Sequence, residues 1–307
     1  MITSTAVGLW IGAAGYCTHP EFLTLRGGSF RAISFPAGFA CIHHPEHGYI
    51  LFDTGYSSRF FEETATLPQS LYRYITPVIY QQEDSVMSQL AQQGIRADQI
   101  TYVILSHFHG DHIGGARDFP QATFIYLSES YQAVKDLSSL RAVKAGFLVG
   151  LLPDDLTNRS RVFNRSDAVP LTSLLDHDQQ DDAMFKHKQT LAVHTNNQEL
   201  PWKQGYDLLG DGSLIAIELS GHAEGMIGLL LSTATDDYLL CADTVWSSTA
   251  FTQNRPPHFL AGMIMSDRQQ YKLNLHKLRQ FHLSYPSMRI VPSHCKQALQ
   301  QWGGRWW

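Results

Sequence analysis

Residues 106–115 read Ser-His-Phe-His-Gly-Asp-His-Ile-Gly-Gly, and this stretch decides both the fold and the chemistry of the chain. It places three imidazoles and one carboxylate, those of His107, His109, His112 and Asp111, within six positions. Imidazole and carboxylate are the ligand types that suit Zn, Fe, Ni and Mn. Because side chains alternate along extended backbone, His107 and His109 can point to one side, while Asp111 and His112 enter the first turn of a helix. The stretch therefore predicts a metal site.

Four apolar runs along the chain are each followed closely by a histidine or aspartate that could bind a metal. Such runs are short and rich in aliphatic residues, which favours buried strands. The four examples are Tyr102–Leu105 before His107, Leu214–Leu219 before His222, Tyr238–Cys241 before Asp243, and Met288–Pro292 before His294.

The 106–115 stretch resembles the His-x-His-x-Asp-His signature of the metallo-β-lactamase superfamily, which includes glyoxalase II, RNase Z, lactonases and alkylsulfatases. Gly221-His222 resembles the next ligand motif of this family, Asp243 its bridging carboxylate, and Ser293-His294 its last ligand. Asp53-Thr54-Gly55 resembles its early Asp-Thr-Gly segment. The four ligand-bearing motifs follow one another in the family's order.

The resemblance implies a role for each of these side chains. Metal one would be held by His107, His109 and His222, and metal two by Asp111, His112 and His294, with Asp243 bridging and Asp53 supporting from outside the ligand set. We expect two divalent ions, zinc in the first place, with iron or manganese as alternatives. The implied nucleophile is a hydroxide between the ions, since metals lower the pKa of water from roughly 15.7 to around neutrality. Asp111 is the expected catalytic carboxylate, because it can accept or pass a proton.

The same resemblance implies the fold, an α/β protein built as a four-layer αββα sandwich. We predict one domain over 1–307 with an insertion at about 141–212, because the metal motifs resume after that range. Ser266 to Phe281 reads as a helix, with Ser266 and Gln269 in capping-box spacing. The apolar stretch from Ala6 to Gly15 lacks the basic residues of a signal sequence and is predicted to be the first core strand.

Composition excludes several functional classes. Hydrophobic residues make up 44% and charged residues 17% of the chain, which is ample for a core, and the net charge is -5. Nucleic-acid binding normally requires a basic surface, so we predict no nucleic-acid partner. No run approaches the ~20 apolar residues of a membrane span, so we expect a cytoplasmic protein that binds no membrane. The cysteines do not form a disulfide framework and are expected to be buried thiols.

The substrate is predicted from weaker signals. Aromatic and aliphatic residues beyond the needs of the motifs suggest an apolar pocket, with Phe108, Trp246 and His258 as its candidate residues. A small, partly apolar ester, lactone or thioester fits such a pocket. Lactonases of the superfamily commonly carry a Tyr three residues after the bridging Asp to bind the substrate carbonyl, and here that position is Trp246. Tyr56 and Tyr271 are alternative hydroxyl donors.

Other interpretations stay open at this point. The same ligands could hold iron in a redox enzyme of this fold, could serve a phosphodiesterase, or could persist in a non-catalytic binding protein. His43, His44 and His47 lie in a predicted hairpin turn, where a solvated turn is favoured over a surface metal site. The apolar N-terminal stretch and the aromatic C-terminus are candidates for a homodimer contact.

Overall fold

The computed structural model describes residues 5–175 and 200–307, and within these ranges the strands form two mixed sheets. The first has the order β4-β1-β2-β3-β5-β6-β7 and the second the order β13-β12-β11-β10-β9-β8. The strands of the first sheet are β1 (Gly8–Pro20), β2 (Ala32–His44), β3 (Gly48–Phe52), β4 (Val78–Ile79), β5 (Ile100–Ile104), β6 (Thr123–Leu127) and β7 (Ser160–Phe163). Those of the second are β8 (Val169–Pro170), β9 (Gln204–Asp207), β10 (Leu214–Glu218), β11 (Ile227–Ser232), β12 (Asp237–Ala242) and β13 (Arg289–Pro292).

Helices connect the strands, and most of them are short. They are α1 (Glu21–Thr24), α2 (Ser58–Glu63), α3 (Ser70–Ile75), α4 (Val86–Gln92), α5 (Gly110–Ile113), α6 (Ser128–Gln132), α7 (Ser139–Lys144), α8 (Leu171–Leu175), α9 (Ser248–Thr252), α10 (Arg268–Ser284) and α11 (Lys296–Trp302). In the described part of the chain, none is long and apolar enough to cross a membrane.

Both faces of the first sheet are buried, and the alternation of side chains along its strands shows how. Ile50 and Phe52 of β3 belong to the core between the two sheets, whereas Leu51 belongs to the core on the opposite face. Leu90 of α4 lies in that second core, and Leu278 of α10 packs in the same cluster as the side chains of the second sheet. Because side chains of a strand point alternately to its two sides, each sheet lies between its partner and a helical layer. This confirms the predicted αββα sandwich.

The sheet topology brings the ends of separate strands together. β3 and β5 are parallel neighbours that pair Phe52 with Ile104, so the residues following both strands emerge at one edge. β12 and β13 are also parallel and pair Ala242 with Pro292, so the residues that follow these two strands lie side by side. The metal-type residues of the sequence follow these strands directly.

Several local predictions can now be compared with the structure. The helix read from Ser266 begins at Arg268 instead, because the Asp267 carboxylate, not the Ser266 hydroxyl, accepts hydrogen bonds from the first free backbone N–H groups. The cysteines are free and buried, as predicted. Within the range read as an insertion, β7 extends the first sheet and β8 and β9 the second, while residues 176–199 lie outside the described residues.

The two ends of the chain lie against each other. Backbone hydrogen bonds join Leu9 and Trp307 in both directions, at 2.9 and 3.3 Å. The apolar β1 and the aromatic C-terminus thus cover one another within one chain. Because these residues contact each other within one chain, they do not support the homodimer contact, and a homodimer stays a prediction.

Candidate active site

Three imidazoles meet at the edge where β5 ends. His107 and His109 follow that strand, and His222 comes from the turn between β10 and β11. The Nε2 atom of His222 lies 2.9 Å from Nδ1 of His109, and the rings of His107 and His109 are 4.5 Å apart. The ligand atoms of all three rings lie within 4.8 Å of one another, which is close enough to share one ion.

A second group lies directly beside the first. Asp111, His112 and His294 also place their ligand atoms within 4.8 Å of one another. The Asp243 carboxylate stands between the two groups, because its Oδ2 atom is 3.2 Å from Nε2 of His222 and 3.0 Å from Nε2 of His294. Its Oδ1 atom is 3.3 Å from Nε2 of His112. The structure thus gathers all seven predicted ligands, hereafter the seven-residue cluster.

The loop that carries four of these residues, from His107 to His112, is held against the Asp53-Thr54-Gly55 segment by hydrogen bonds. The Thr54 backbone N–H and hydroxyl both donate to the carbonyl of His112, at 2.8 and 2.9 Å. A methyl group added to Gly114 would lie 2.5 Å from the carbonyl oxygen of Gly55. Only glycine allows this close approach, which explains its presence here.

The outer nitrogens of the rings have partners that fix their orientation. Nδ1 of His112 lies 2.7 Å from the Asp53 carboxylate, and Nδ1 of His294 lies 2.7 Å from the carbonyl oxygen of Pro36. Both partners can only accept, so each Nδ1 carries a hydrogen, and each Nε2 is left to bind a cation in the interior of the cluster once it has lost its own proton. This is the tautomer that a metal ligand requires.

Asp53 is the centre of this outer network. It is fully buried and also accepts from the Ser106 backbone N–H at 2.8 Å and from the Ser106 hydroxyl at 2.7 Å. That hydroxyl in turn lies 2.9 Å from Nδ1 of His107. Asp53 therefore contacts His112 of the second group directly and His107 of the first group through Ser106. Its support of a metal site stays a prediction.

The interior of the cluster contains polar atoms without hydrogen-bond partners. These buried atoms are Nε2 of His107, Nε2 of His112 and Oδ1 of Asp243. A buried polar atom without a partner costs roughly 1–3 kcal/mol, so three of them at one point need a compensating ligand. Nitrogen lone pairs and carboxylate oxygens facing inward satisfy the coordination needs of divalent cations, so the residues present fit the implied metals.

Electrostatics divides the cluster into neutral and charged members. Burial lowers the pKa of His107 and His109, and it lowers the pKa of His222 to about 3. Burial has the same tendency at His112, but there the carboxylates of Asp53 and Asp243 outweigh it and hold the pKa well above its ordinary value. The imidazoles of the first group are therefore neutral at neutral pH and need lose no proton to bind a metal.

The three predicted pocket residues lie in different surroundings, and one of them is next to the cluster. Trp246 lies beside the seven-residue cluster, with its Nε1–H donating to Oδ2 of Asp243 at 2.9 Å. Phe108 is buried against Tyr126 in the core, and His258 stacks on Phe259 at 4.4 Å in the loop that precedes α10. Substrate contacts of Phe108 and His258 stay predictions.

Sequence reasoning missed Tyr72 as a neighbour of the site. A methyl group on Gly110 would lie 3.5 Å from the Tyr72 hydroxyl oxygen, which places this hydroxyl beside Gly110, the residue that separates His109 from Asp111 in the chain. The aromatic character of the segment around Tyr72 was the only available signal. Of the hydroxyl donors named from the sequence, Tyr56 is buried with no hydrogen-bond partner for its hydroxyl, and Tyr271 is buried under Trp246 with ring centroids 6.4 Å apart.

A second group of metal-type residues lies away from the site, hereafter the hairpin cluster of His44, His47 and Asp211. The expectation of a solvated turn is wrong for His44, which is completely buried. Its Nε2 atom lies 2.8 Å from Oδ2 of Asp211, a residue 167 positions away. Its Nδ1 atom accepts from the backbone N–H groups of Glu46 and His47, each at 3.1 Å.

Comparison with known proteins gives the same superfamily that the sequence motifs resemble. The sequence profile of the metallo-β-lactamase superfamily matches residues 42–294, which include the seven-residue cluster. The N-acyl homoserine lactonase AttM of Rhizobium johnstonii is 24% identical over 255 residues, which is 82% of this chain and 81% of that protein. A probable metallo-hydrolase of Mycobacterium tuberculosis is 31% identical over 77 residues, 25% of this chain and 24% of its own.

Solved structures share the fold over almost the whole chain. An N-acyl homoserine lactone hydrolase, with its product N-hexanoyl-L-homoserine at the catalytic metal centre, gives a TM-score of 0.66 at 15% identity and covers 97% of each chain. AidC, a dizinc quorum-quenching lactonase in complex with a product, gives a TM-score of 0.60 at 16% identity, covering 96% of this chain and 90% of that one.

Proposed function

The chain belongs to the metallo-β-lactamase superfamily of hydrolases, and from that premise we propose that it uses two divalent metal ions to cleave an ester, lactone or thioester. The observation that carries the proposal is the convergence of seven ligand-type side chains, from four separate motifs, on one buried point. We expect zinc, with iron or manganese as alternatives, because nitrogen and oxygen ligands suit all three.

In this proposal the two groups of the cluster hold one ion each. His107, His109 and His222 would hold one ion and Asp111, His112 and His294 the other, and Asp243, which lies between the two groups, would be shared by both. Bound ions of this kind supply a water of lowered pKa and polarise the oxygen of the bond to be cleaved.

Asp111 is the residue to which we assign proton transfer. Its side chain is 12% exposed, whereas that of Asp243 is 3% exposed, so Asp111 is the cluster carboxylate that can reach substrate or solvent. Its Oδ2 atom lies 3.4 Å from Nε2 of His294, close to the second group. General acid–base catalysis by a positioned carboxylate contributes about 10²–10⁴-fold.

A lactone is the first bond type to test. The curated relatives matched over 82% of the chain are N-acyl homoserine lactonases. Aromatic side chains next to the motif support a partly apolar substrate, because Phe60 and Tyr72 both lie against Gly110, within 3.5 Å of the point where a methyl group would stand.

The test measures bound metal and hydrolysis on the same sample. Purified protein is analysed for Zn, Fe and Mn, then assayed with lactones, thioesters, aryl esters and phosphodiesters. We expect about two ions per chain and hydrolysis of an acyl substrate. Asp111→Asn should reduce turnover at least about 100-fold. Asp98→Asn is the matched control, since that carboxylate is 58% exposed and pairs with Arg96, at the surface of the described part of the chain.

Each alternative has its own outcome in this experiment. Bound iron without hydrolysis of any substrate would favour the redox enzyme, and cleavage of phosphodiesters alone would favour the phosphodiesterase. A protein that binds no metal under any condition would exclude the proposal altogether.

A further inference from the structure

Trp246 lies beside the cluster but has contacts unlike those of a substrate-binding residue. It follows Asp243 by three positions and is 7% exposed. Its indole N–H donates to Oδ2 of Asp243 at 2.9 Å in a fully buried hydrogen bond. An indole nitrogen is a donor only, and it neither accepts a proton nor ligates a metal. The N–H group is therefore engaged and not free for a substrate carbonyl.

The oxygen that receives this hydrogen bond is the most crowded atom of the carboxylate. Oδ2 of Asp243 also approaches Nε2 of His294 at 3.0 Å and Nε2 of His222 at 3.2 Å. Oδ1, in contrast, has no hydrogen-bond partner. The indole thus distinguishes the two oxygens and restrains rotation of the carboxylate about its Cβ–Cγ bond.

The ring of Trp246 has a second contact, with a ligand that lacks an outer partner. His107, His112 and His294 each have a polar partner at Nδ1. Nδ1 of His222 is buried without one. The Trp246 ring stands perpendicular to the His222 ring, at 89°, with centroids 5.5 Å apart. Packing against the indole takes the place of the missing hydrogen bond in orienting His222.

From these contacts we infer that Trp246 is a positioning residue of the metal site: its N–H orients the shared carboxylate Asp243, and its ring orients His222. The inference rests on the proposed two-metal function. It also explains why this position carries no tyrosine. The Trp246 N–H donates to the Asp243 carboxylate, whereas a tyrosine hydroxyl here would donate to the substrate carbonyl.

Two substitutions separate the two contacts. Trp246→Phe keeps an aromatic ring beside His222 and removes the N–H, whereas Trp246→Leu removes both. Trp10→Phe is the matched control, because Trp10 is also buried, at 5% exposure, and its Nε1 has no hydrogen-bond partner to lose.

The main measurement is the Zn²⁺ dissociation constant of each variant, obtained by competition with a chelator, which needs no substrate. We expect Trp246→Phe to weaken Zn²⁺ binding about 10- to 100-fold, as is typical when the outer partner of a ligand is lost. Trp246→Leu should weaken it further, and Trp10→Phe should leave it unchanged. The visible absorption spectrum of the Co²⁺-loaded protein should change in both Trp246 variants but not in the control, because it reports ligand geometry.

Unfolding of the metal-free variants by denaturant separates positioning from stability. If Trp246→Phe lowers metal affinity while its metal-free stability matches that of Trp10→Phe, the positioning role holds. A Trp246→Phe protein with wild-type Zn²⁺ affinity and an unchanged cobalt spectrum would overturn this inference alone. A wild-type protein that binds no metal would overturn the proposed function as well.

Discussion

The seven-residue cluster and the hairpin cluster contain the same residue types at the same spacing, yet their rings carry protons in opposite places. In the first, the outer Nδ1 atoms of His112 and His294 donate to pure acceptors, so the inner Nε2 atoms are the ones left to bind a cation. In the second, Nδ1 of His44 accepts from two backbone N–H groups, so its Nε2 carries the hydrogen and donates it to Asp211.

The aspartate carboxylates of the two clusters also differ in whether their oxygens have hydrogen-bond partners. Oδ1 of Asp243 is buried and has no hydrogen-bond partner, whereas Oδ1 of Asp211 accepts from both the backbone N–H and the hydroxyl of Ser213. The hairpin cluster is therefore complete without a metal, and the seven-residue cluster is not. Proximity of histidine and aspartate does not make a metal site; the partner of the outer nitrogen decides whether the inner nitrogen can bind one.

The largest expected effect comes from removing one imidazole from each cluster. His109→Ala should lower turnover at least about 1,000-fold, equivalent to ~4 kcal/mol of activation free energy, and should reduce bound metal. His47→Ala, the matched change in the hairpin cluster, should alter neither. Metal analysis and steady-state kinetics on both variants test this, and full activity of a metal-loaded His109→Ala protein would contradict the ligand assignment.

The next comparison replaces the carboxylate beside a buried imidazole in each cluster. Asp53→Asn removes the charge that fixes His112 but keeps a residue that tolerates the positive φ of 61° at this position. Zn²⁺ affinity should fall about 10- to 100-fold in chelator competition. Asp211→Asn should leave it unchanged; equal losses in both variants would show that the clusters do not differ as argued.

The seven candidate ligands could be named from the sequence because their motifs resemble those of the metallo-β-lactamase superfamily. Each motif also follows an apolar run, and parallel strands place the ends of such runs together. β3 beside β5, and β12 beside β13, brought Asp53 to His112 and Asp243 to His294. The αββα fold followed from the resemblance carried by the same motifs.

What the sequence did not reveal depends on contacts between distant positions. His44 can be buried because it has a hydrogen-bond partner in Asp211, which is 167 residues away. No local sequence pattern predicts that pairing. The orientation of His294 depends on the backbone carbonyl of Pro36, a group that every residue possesses. The Trp246 hydrogen bond required the turn after β12, and β7 to β9, of two to four residues each, are too short to give a strand pattern.

A smaller effect should distinguish the clusters in the metal-free protein. His44→Ala leaves two backbone N–H groups and the Asp211 carboxylate without this partner, and it should lower the free energy of unfolding by roughly 1–2 kcal/mol. His44→Asn should lose less, because its side-chain oxygen can accept from the backbone two residues ahead. Denaturant titration provides the values. Zn²⁺ content should not respond to either change, and a drop in it would point to a metal at the hairpin.

The smallest effect is a pH dependence confined to the hairpin cluster. Partial burial raises the pKa of the Asp211 carboxyl, but the hydrogen bonds that it accepts from Ser213 and His44 outweigh this effect and hold the pKa below its ordinary value. A lowered folded-state pKa stabilises the fold above the unfolded pKa near about 4, and that stability is lost as pH falls through the folded pKa.

Wild type should therefore exceed Asp211→Asn in unfolding free energy at pH 7 by about 0.5 kcal/mol, a modest value because Asp211 is 22% exposed and water screens the pair. The difference should shrink as the pH is lowered below about 4. Denaturant titrations of metal-free protein across this range measure it. A gap that stays constant would mean that the Asp211 charge does not contribute, and that the hairpin cluster is held by its neutral hydrogen bonds alone.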